Sequence, residues 1–385
     1  MNSKERHEAR YQRRKAARLA KRQAFIEQFD NFDRAVNRNA LSKACHDAAL
    51  SVGWKSSVKR FRYHKLTNIK RLSDKLEQGK SVHKNFICFD IVERGKERHI
   101  MSVRFSERVV HKAVCQNVLY PVLTRNLIFD NCANQKGKGT HLARRRVKTF
   151  LSSHFRRYGR EGYVLLIDFK SFFENLDHTK IKEILLATIK DELILKVCLY
   201  QLDDYARYYK RPIGLGLGSE QNQIYAVILP NVLDHFIKEK LRIKGYVRYM
   251  DDMILIHRSK LYLEECLKEI REVCSRYGLI INERKTGIVK LSRGFTYLKT
   301  QYKITDTGHI VMKVERKSIT RERRKLKKQA ALYLCGEMSI DDIRTSYASW
   351  RGSLLDRDSY RTIKQMDAYY KSIFEEVKEN GSGKD

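Results

Sequence analysis

Three aspartates lie in settings where carboxylates could do chemistry. Asp251 and Asp252 are adjacent and flanked on both sides by apolar and aromatic residues, a pattern that predicts two short strands meeting at the pair. Asp168 follows a similar apolar run, residues 163–167. Because adjacent carboxylates repel each other, they make sense when a cation lies between them. Carboxylates from two neighbouring strands that share magnesium ions are what two-metal phosphoryl transfer requires.

The chain carries an excess of positive charge along its whole length. Its 385 residues include 79 Lys and Arg against 45 Asp and Glu, a formal net charge of +34. This balance points to a polyanionic partner, either a nucleic acid or an anionic membrane surface. No apolar run approaches the roughly 18 residues that a spanning helix needs, and no secretory signal is found, so we expect no membrane partner.

The cysteines and prolines indicate one contiguous body in a reducing compartment. The eight cysteines form no C-x-x-C pair, and the closest two, Cys266 and Cys274, have a spacing that suits neither a disulfide nor a zinc site. We expect buried, reduced thiols in a cytoplasmic protein. Only three prolines occur, and neither a linker nor an internal repeat is found.

Several predicted elements would position the aspartates. Hairpins are predicted at 86–104 and 295–304, and a strand and turn at 278–286. Helices are predicted at 106–125, from near Phe172, over 179–209 and at 260–276, and basic helices from about 313. A flexible basic loop at 135–141 is predicted to open a basic helix at 142–157. Glycines 214, 216 and 218 predict close backbone approach by something large, and their spacing fits neither a Walker loop nor a dinucleotide fold.

Two basic segments near the N-terminus have the composition of nucleic-acid contacts. Nine of the nineteen residues 4–22 are Lys or Arg, which predicts a basic helix or a tail that becomes one on binding an anion. A solvated arm without a specific role fits the same composition equally well. Residues 54–63 interleave aromatic and basic side chains, which suits rings stacking on bases and cations meeting phosphates.

Taken in order over roughly residues 80–305, these segments resemble the motifs of a bacterial retroelement-type reverse transcriptase. The box at 249–252 resembles the second catalytic motif, and Asp168 with Phe172 and Phe173 resembles the first. The resemblance continues in the nucleotide and template motif (212–214 with Gln223), the segment after the catalytic hairpin (278–285), the primer-grip hairpin (295–298) and two fingers motifs (96–100 and 106–110). This series of motifs in the right order is far more specific than one Tyr-x-Asp-Asp box.

The resemblance implies an α+β right-hand polymerase fold with a palm built on an antiparallel sheet, fingers and a helical thumb. The expected division is a basic helical N-terminal extension at 1–80, fingers at 81–160, palm at 161–305 and thumb at 306–385. The helices of 179–215 would belong partly to the fingers and partly to the palm.

The resemblance also implies roles for individual residues. Asp168, Asp251 and Asp252 would be the catalytic residues and would bind two magnesium ions, for which manganese could substitute. The nucleotide-binding group would be Lys96, Arg98, Arg108, Phe173, Gly214, Gln223 and Lys285. Phe173, five residues after Asp168, resembles the aromatic that favours dNTPs over rNTPs. Primer and template contacts would come from Tyr249, Tyr297, Leu298 and Trp350.

The implied reaction is synthesis of cDNA from dNTPs on an RNA template, which the charge suggests is a dedicated structured non-coding RNA. The subgroup could be a defence-associated enzyme, with an anti-phage role, a diversity-generating retroelement enzyme or a retron. An RNA-dependent RNA polymerase is the related alternative, against which Tyr249 and Phe173 argue. A catalytically idle RNA-binding scaffold is the alternative of another class. The oligomeric state stays open.

Overall fold

The structure, a computed structural model, describes residues 2–93 and 95–381. The chain begins with five helices: α1 (Ser3–Phe29), α2 (Phe32–Val36), α3 (Arg38–Ala49), α4 (Ser56–Tyr63) and α5 (Lys65–Glu77). A capping box between Asn2 and Glu5 opens α1, none of whose residues is buried. The basic helix predicted at 4–22 is therefore confirmed and is longer than expected.

A two-stranded hairpin and a helical segment come next. Their elements are β1 (Ile87–Glu93), β2 (Lys96–Ser102), α6 (Phe105–Val114), a π-helical turn (Cys115–Leu119), α7 (Tyr120–Leu123) and α8 (Thr140–Tyr158). The strands pair antiparallel with Phe89 opposite Ile100, which confirms the hairpin predicted at 86–104. The helix predicted at 106–125 is interrupted by the π turn.

A four-stranded antiparallel sheet lies at the centre of the molecule. This region comprises β3 (Tyr163–Ile167), α9 (His178–Thr188), α10 (Glu192–Tyr209), α11 (Glu220–Ile228), α12 (Asn231–His235), β4 (Gly245–Tyr249), β5 (Asp252–His257), α13 (Lys260–Arg276) and β6 (Gly287–Lys290). The strand order is β4-β5-β3-β6. Leu165 and Leu255 pack into one hydrophobic core, while Val164 and Ile254 pack into another on the opposite face. Burial on both faces explains why these strands are continuously apolar.

A second, three-stranded sheet carries the hairpin predicted at 295–304. Its strands are β7 (Phe295–Tyr297), β8 (Thr300–Ile304) and β9 (Ile310–Val314), in that order and all antiparallel. The rings of Phe295 and Tyr302 stack at 5.2 Å and join the core beneath β4 and α8. The expected palm–thumb boundary at 305/306 falls in the turn between β8 and β9.

Three helices complete the described chain: α14 (Arg316–Leu334), α15 (Ile340–Gly352) and α16 (Tyr360–Gly381). They share a small core of their own that includes Leu326, Ile343 and Met366. Arg144 Nε of α8 binds Asp356 Oδ2 at 2.7 Å, which ties the connection before α16 to the rest of the molecule. These elements form the α+β arrangement expected from the sequence, while the division into four domains stays a prediction.

Local predictions around the glycines and loops need correction. The helix expected near Phe172 is a 3₁₀ turn, Phe172–Asn175, entered through Ser171 at a φ of +43°. Residues 278–286 form no strand beyond one bridge from Ile281 to Phe169, and the strand is β6. A Cβ on Gly216 would meet the Tyr205 ring at 2.7 Å, so the close approach there is made by the chain itself.

The cysteines are partly as expected. Six are buried and free, whereas Cys88 and Cys335 are free and exposed. Across the described residues, no helix combines the length and apolar character that crossing a membrane would take.

Candidate active site

The hairpin predicted to be catalytic, called the catalytic hairpin below, is formed by β4 and β5 around a two-residue turn. Tyr249 and Asp252 are the last paired residues, and Met250 and Asp251 connect them. Met250 has a φ of +54°, an unusual left-handed conformation for a residue with a long side chain. In the neighbouring pair Ile167 lies opposite Met253, so Asp168, the residue after β3, comes level with Asp252.

The three predicted catalytic aspartates line one cavity. It has a volume of about 1200 Å³ and lies between the ends of the central strands and the helices α14 and α15. Lys285 lines the same cavity and binds Asp168 there. The tertiary structure thus brings together residues that are 84 positions apart in the chain, from Asp168 to Asp252.

Burial and mutual repulsion raise the pKa values of the hairpin carboxylates. Burial first, and then the charges of Asp251 and Asp168, raise the pKa of Asp252 to about 7. Burial also raises the pKa of Asp251, while the positive charges of Lys285 and Arg98 act in the opposite direction. A cation in the cavity would relieve this repulsion, as expected for a metal-binding carboxylate group.

Asp168 is held by the segment that follows α13. Lys285 Nζ lies 2.9 Å and 3.1 Å from the two carboxylate oxygens of Asp168, and Asn282 Nδ2 donates to Oδ2 at 2.9 Å. This hydrogen bonding raises the pKa of Lys285. The main-chain N–H of Asn282 also donates to the Asp168 carbonyl at 2.8 Å. These contacts explain why 278–286 forms a loop rather than the predicted strand, since its polar groups are used to bind Asp168.

The residues expected to contact primer and template surround the same cavity. Tyr249, Tyr297, Leu298 and Trp350 all line it. The Tyr297 hydroxyl donates to the Asp252 carbonyl at 3.3 Å, so the β7–β8 hairpin is fixed to the catalytic hairpin. The C-terminal helices contribute another part of the lining, where Lys325 pairs with Glu322 at 2.9 Å. This part also includes Glu315, Ser318, Arg321, Ser346 and Ser349. Hydroxyls and cations on this part suit contacts to a phosphate backbone.

Most of the predicted nucleotide-binding group lies outside this cavity. Of the six residues whose side chains the structure describes, only Lys285 lines it. Arg98 is exposed on β2, on the same face of the hairpin as Ile91, and its charge reaches Asp251. Arg108 Nη2 approaches the Ser102 hydroxyl at 3.4 Å, next to the base of β2. The side chain of Lys96 lies outside the described part of the structure.

Phe173 and Gly214 serve the packing beside the site. Phe173 is half-buried, and its ring meets the Phe172 ring edge-on at 5.6 Å. Its carbonyl accepts from the N–H of Leu215 at 2.7 Å. Gly214 has a φ of +101°, and a Cβ there would meet the Glu174 carbonyl oxygen at 3.0 Å. The glycine is therefore required by its own surroundings, because a side chain would collide with the 3₁₀ turn.

A buried ion pair beneath the catalytic hairpin was missed by sequence reasoning. Arg248 and Asp234 are both 0% exposed, and Arg248 Nε and Nη2 each donate to an Asp234 oxygen at 2.7 Å. The same guanidinium donates to the carbonyls of Met250 at 3.1 Å and Val227 at 2.8 Å. The Tyr246 hydroxyl donates to Asp234 at 2.6 Å. The sequence signal that could have revealed this pair is Arg248 itself, a charged residue inside the otherwise largely apolar strand β4.

The segment 129–139, which overlaps the flexible loop predicted at 135–141, is tied to the hairpin. The N–H of Cys132 donates to the Arg248 carbonyl at 2.9 Å, and the N–H of Arg248 donates to the Asp130 carbonyl at 3.0 Å. Lys138 Nζ donates to the carbonyls of Phe129 at 3.0 Å and Asn131 at 2.9 Å. The segment runs along β4 as a brace, so the glycines and lysines that suggested flexibility form a fixed structure instead.

Asn134 links this brace to two motifs at once. It has a φ of +49°, and its Nδ2 donates to Gln223 Oε1 at 2.9 Å. The same Nδ2 lies 3.6 Å from the sulfur of Met250. Gln223, predicted to contact nucleotide or template, is thus oriented by Asn134, a residue that no sequence pattern singled out.

The three aspartates have the chemistry of a magnesium site, because Mg²⁺ prefers carboxylate oxygens. The pKa values of Asp251 and Asp252 are raised, mainly by burial and also by repulsion from the neighbouring carboxylates. Within residues 2–93 and 95–381, no three His, Cys, Asp or Glu side chains are already close enough to hold an ion. Asp168 is instead paired with Lys285. The three carboxylates therefore have the chemistry to bind magnesium, and in this structure the Lys285 ammonium group pairs with one of them, Asp168.

Comparison with known proteins is consistent with this site. Residues 82–303, over half of the chain, match the family described as "Reverse transcriptase (RNA-dependent DNA polymerase)". A search among curated proteins finds no match.

Two solved structures are similar in fold to parts of this chain. Apo telomerase from Candida tropicalis, truncated of its C-terminal domain, has a TM-score of 0.47 and 16% identity, and the match covers 65% of this chain and 60% of that one. Telomerase from Candida albicans, in complex with a TWJ fragment of telomeric RNA, has a TM-score of 0.47 and 14% identity. This match covers 81% of the present chain and 59% of the telomerase chain. The chain spans about 60% of the length of these structures.

Proposed function

The chain belongs to the reverse transcriptase (RNA-dependent DNA polymerase) family, and on that premise we propose that it copies an RNA template into DNA from dNTPs. The observation that carries this proposal is the one cavity lined by Asp168, Asp251, Asp252 and Lys285, to which polar and charged residues of the C-terminal helices also contribute. A cavity of about 1200 Å³ has room for a nucleotide and the end of a primer–template duplex.

The residues of the cavity have separable tasks in this proposal. Asp168, Asp251 and Asp252 hold the magnesium ions, which when bound activate the primer 3′-hydroxyl and neutralise the triphosphate. Lys285 orients Asp168 through their ion pair, and its ammonium group is positioned to neutralise phosphate charge. Tyr297 and Leu298 hold the primer end near the catalytic hairpin. Arg321 and Lys325 face the backbone of the duplex.

Preference for dNTPs would come from Phe173, as the family resemblance implies. Its ring is half-buried and packed against Phe172, and it does not line the catalytic cavity. A Phe173→Val variant should therefore incorporate rNTPs more readily if the ring contacts the incoming sugar. Unchanged discrimination would identify Phe173 as a packing residue.

The template is proposed to be a dedicated structured RNA. Support comes from the net charge of +34 and from α1, whose nine basic residues at 4–22 are exposed. Together with the brace and the C-terminal helices, α1 would retain this RNA. Deleting residues 1–24 should reduce RNA retention without abolishing synthesis on a supplied primer–template. Unchanged retention would contradict this part of the proposal.

A role in anti-phage defence rests on the subgroup resemblance alone. A diversity-generating retroelement enzyme is the alternative within the family. Sequencing the RNA that co-purifies with the protein, together with the DNA made from it, distinguishes a fixed non-coding template from a copied repeat of a target gene. A phage challenge of cells that carry the wild-type or the inactive chain tests the defence role directly.

The activity is tested with purified protein, magnesium and labelled dNTPs or rNTPs on poly-rA/oligo-dT. We expect DNA synthesis by the wild type and at least a ~10³-fold loss in Asp251→Asn/Asp252→Asn. The matched control is Asp341→Asn/Asp342→Asn, which removes another adjacent acidic pair at the exposed start of α15. Incorporation of rNTPs alone would indicate an RNA polymerase. Wild-type biological activity in the catalytic double variant would favour the idle-scaffold alternative.

A further inference from the structure

A groove on the outer face of α8 has the character of an anion-binding surface. It lies between α8 and the turn that connects β8 to β9, and its volume is about 590 Å³. Its lining consists of Arg145, Lys148, Thr149, Ser152, Phe155, Arg156, Thr307 and Gly308. The groove therefore presents three cations, three hydroxyl groups and one ring, and its lining contains no carboxylate.

The three cations of the groove lack the counter-charge that two neighbouring arginines of α8 have. Arg144 binds Asp356 at 2.7 Å, and Arg146 binds Asp130 at 2.6 Å. In contrast, the side chains of Arg145, Lys148 and Arg156 make no ion pair or hydrogen bond with the described residues. Helix α8 thus compensates its inward-facing charges and leaves one outward stripe uncompensated. Such a stripe attracts an extended polyanion.

The shape of the groove depends on a close approach by the β8–β9 turn. Gly308 has a φ of +84°, and a Cβ there would lie 2.2 Å from the ring of Phe155. The turn therefore presses directly against α8. Eleven residues separate Arg145 from Arg156, so the stripe extends roughly 16 Å along the helix at about 1.5 Å per residue. The three cations along the stripe can each meet a phosphate of one nucleic-acid strand.

The groove is separate from the catalytic cavity. The two share no lining residue, although Arg144, which lines the cavity, precedes Arg145, which lines the groove. We propose that the α8 groove binds the phosphate backbone of an RNA segment outside the catalytic cleft, as an anchoring surface for a folded RNA. This inference rests on the proposed function, which supplies the RNA.

Among polyanions, the features of the groove favour RNA. Three side-chain hydroxyls accompany the cations, and hydroxyl groups of Ser and Thr commonly contact phosphate and sugar oxygens. Phe155, the groove's one large apolar side chain, is half-buried against the turn, so the groove lacks the exposed apolar anchors of a membrane-surface helix. Binding is therefore expected to depend on charge, and to weaken steeply with salt.

The test compares two triple variants that remove the same charge. Arg145→Ala/Lys148→Ala/Arg156→Ala changes the groove, and Lys268→Ala/Arg276→Ala/Lys290→Ala changes exposed positions on α13 and β6. Binding of a labelled RNA stem-loop to the full chain is measured over a series of salt concentrations. The groove variant should bind at least ~10-fold more weakly at physiological salt, with a log–log salt slope reduced by about 2–3. The control variant should stay within about two-fold of wild type.

Extension of oligo-dT on poly-rA, at saturating template, should proceed at the wild-type rate in the groove variant. Wild-type RNA affinity in the groove variant, or an equal loss in both variants, would overturn the proposal. The proposal would also be overturned if the groove variant lost binding to phosphatidylserine vesicles or to an acidic protein while its RNA binding stayed intact. If the wild type fails to polymerise, the proposed function fails, but the comparison of RNA affinities still decides the role of the groove.

Discussion

Replacement of Arg248 tests how the catalytic hairpin is held in place. The Arg248→Met substitution removes a guanidinium that makes two bonds of 2.7 Å to Asp234 and two more to main-chain carbonyls. It leaves the Asp234 carboxylate, which is 0% exposed, with only the Tyr246 hydroxyl and one amide as partners. Removing one partner of a buried pair typically costs about 3–5 kcal/mol. That loss is a large part of a typical free energy of unfolding, about 5–15 kcal/mol.

A double variant separates the cost of the orphaned charge from the loss of the hairpin contact. Asp234→Asn removes the charge and keeps the shape, so Arg248→Met/Asp234→Asn should recover about 2 kcal/mol relative to the single arginine variant. The carbonyls of Met250 and Val227 still lose their donor in the double variant. We therefore expect stability to return in part while the polymerisation rate stays at least ~10-fold below wild type.

The two quantities are measured by urea denaturation and by primer extension with saturating dNTPs. Arg276→Met, at an exposed position of α13, is the control for loss of an arginine. A change of less than about 1 kcal/mol in Arg248→Met would refute the reasoning that the pair is buried and essential. Wild-type polymerisation by the double variant would refute the link between Arg248 and the turn at Met250.

Three further predictions follow from single positions. Because the pKa of Asp252 is raised to about 7, ionisation of this carboxyl destabilises the metal-free fold. Asp252→Asn should therefore raise the urea midpoint of unfolding, measured in EDTA near pH 8. This gain in stability should disappear as the pH falls towards about 4. An equal gain at both pH values would contradict this. Asn134→Ala should lower the free energy of unfolding by ~1 kcal/mol, because alanine is less favourable than asparagine at a φ of +49°. It should also lower kcat/KM for dNTPs by ~5-fold, since Gln223 loses its 2.9 Å donor. Unchanged kinetics would show that Gln223 needs no such donor. Gly308→Ala should lower the free energy of unfolding by ~1–3 kcal/mol. The reason is that Gly308 has a φ of +84° and that a Cβ there would lie 2.2 Å from the Phe155 ring. An unchanged urea midpoint would refute the close packing.

The parts of the fold that depend on local patterns were predictable. Alternating and continuous apolar runs indicated the hairpins at 86–104 and 295–304 and the helix at 260–276. Asp168, Asp251 and Asp252 were identified because a carboxylate in an apolar strand is costly unless something pairs with it. The ordered series of motifs then indicated the family to which the chain belongs.

Some predictions failed because local composition does not report tertiary contacts. Glycines and lysines at 135–141 suggested flexibility, but Lys138 is bound to three main-chain carbonyls. The run at 278–286 suggested a strand, but Asn282 and Lys285 turn towards Asp168. In each case a polar side chain found a partner distant in sequence, and that partner, rather than propensity, set the backbone conformation.

The sequence by itself determined the strands, the amphipathic helices, the basic surface and the three aspartates, because these follow from periodicity, charge and the cost of burying a carboxylate. Only the tertiary structure decided what holds the aspartates in place. Arg248 with Asp234, Asn134 with Gln223, and Lys285 with Asp168 join residues 14, 89 and 117 positions apart. A hydrogen bond depends on distance and angle within about an ångström. Spacing along the chain carries no such information until the core has brought the elements together.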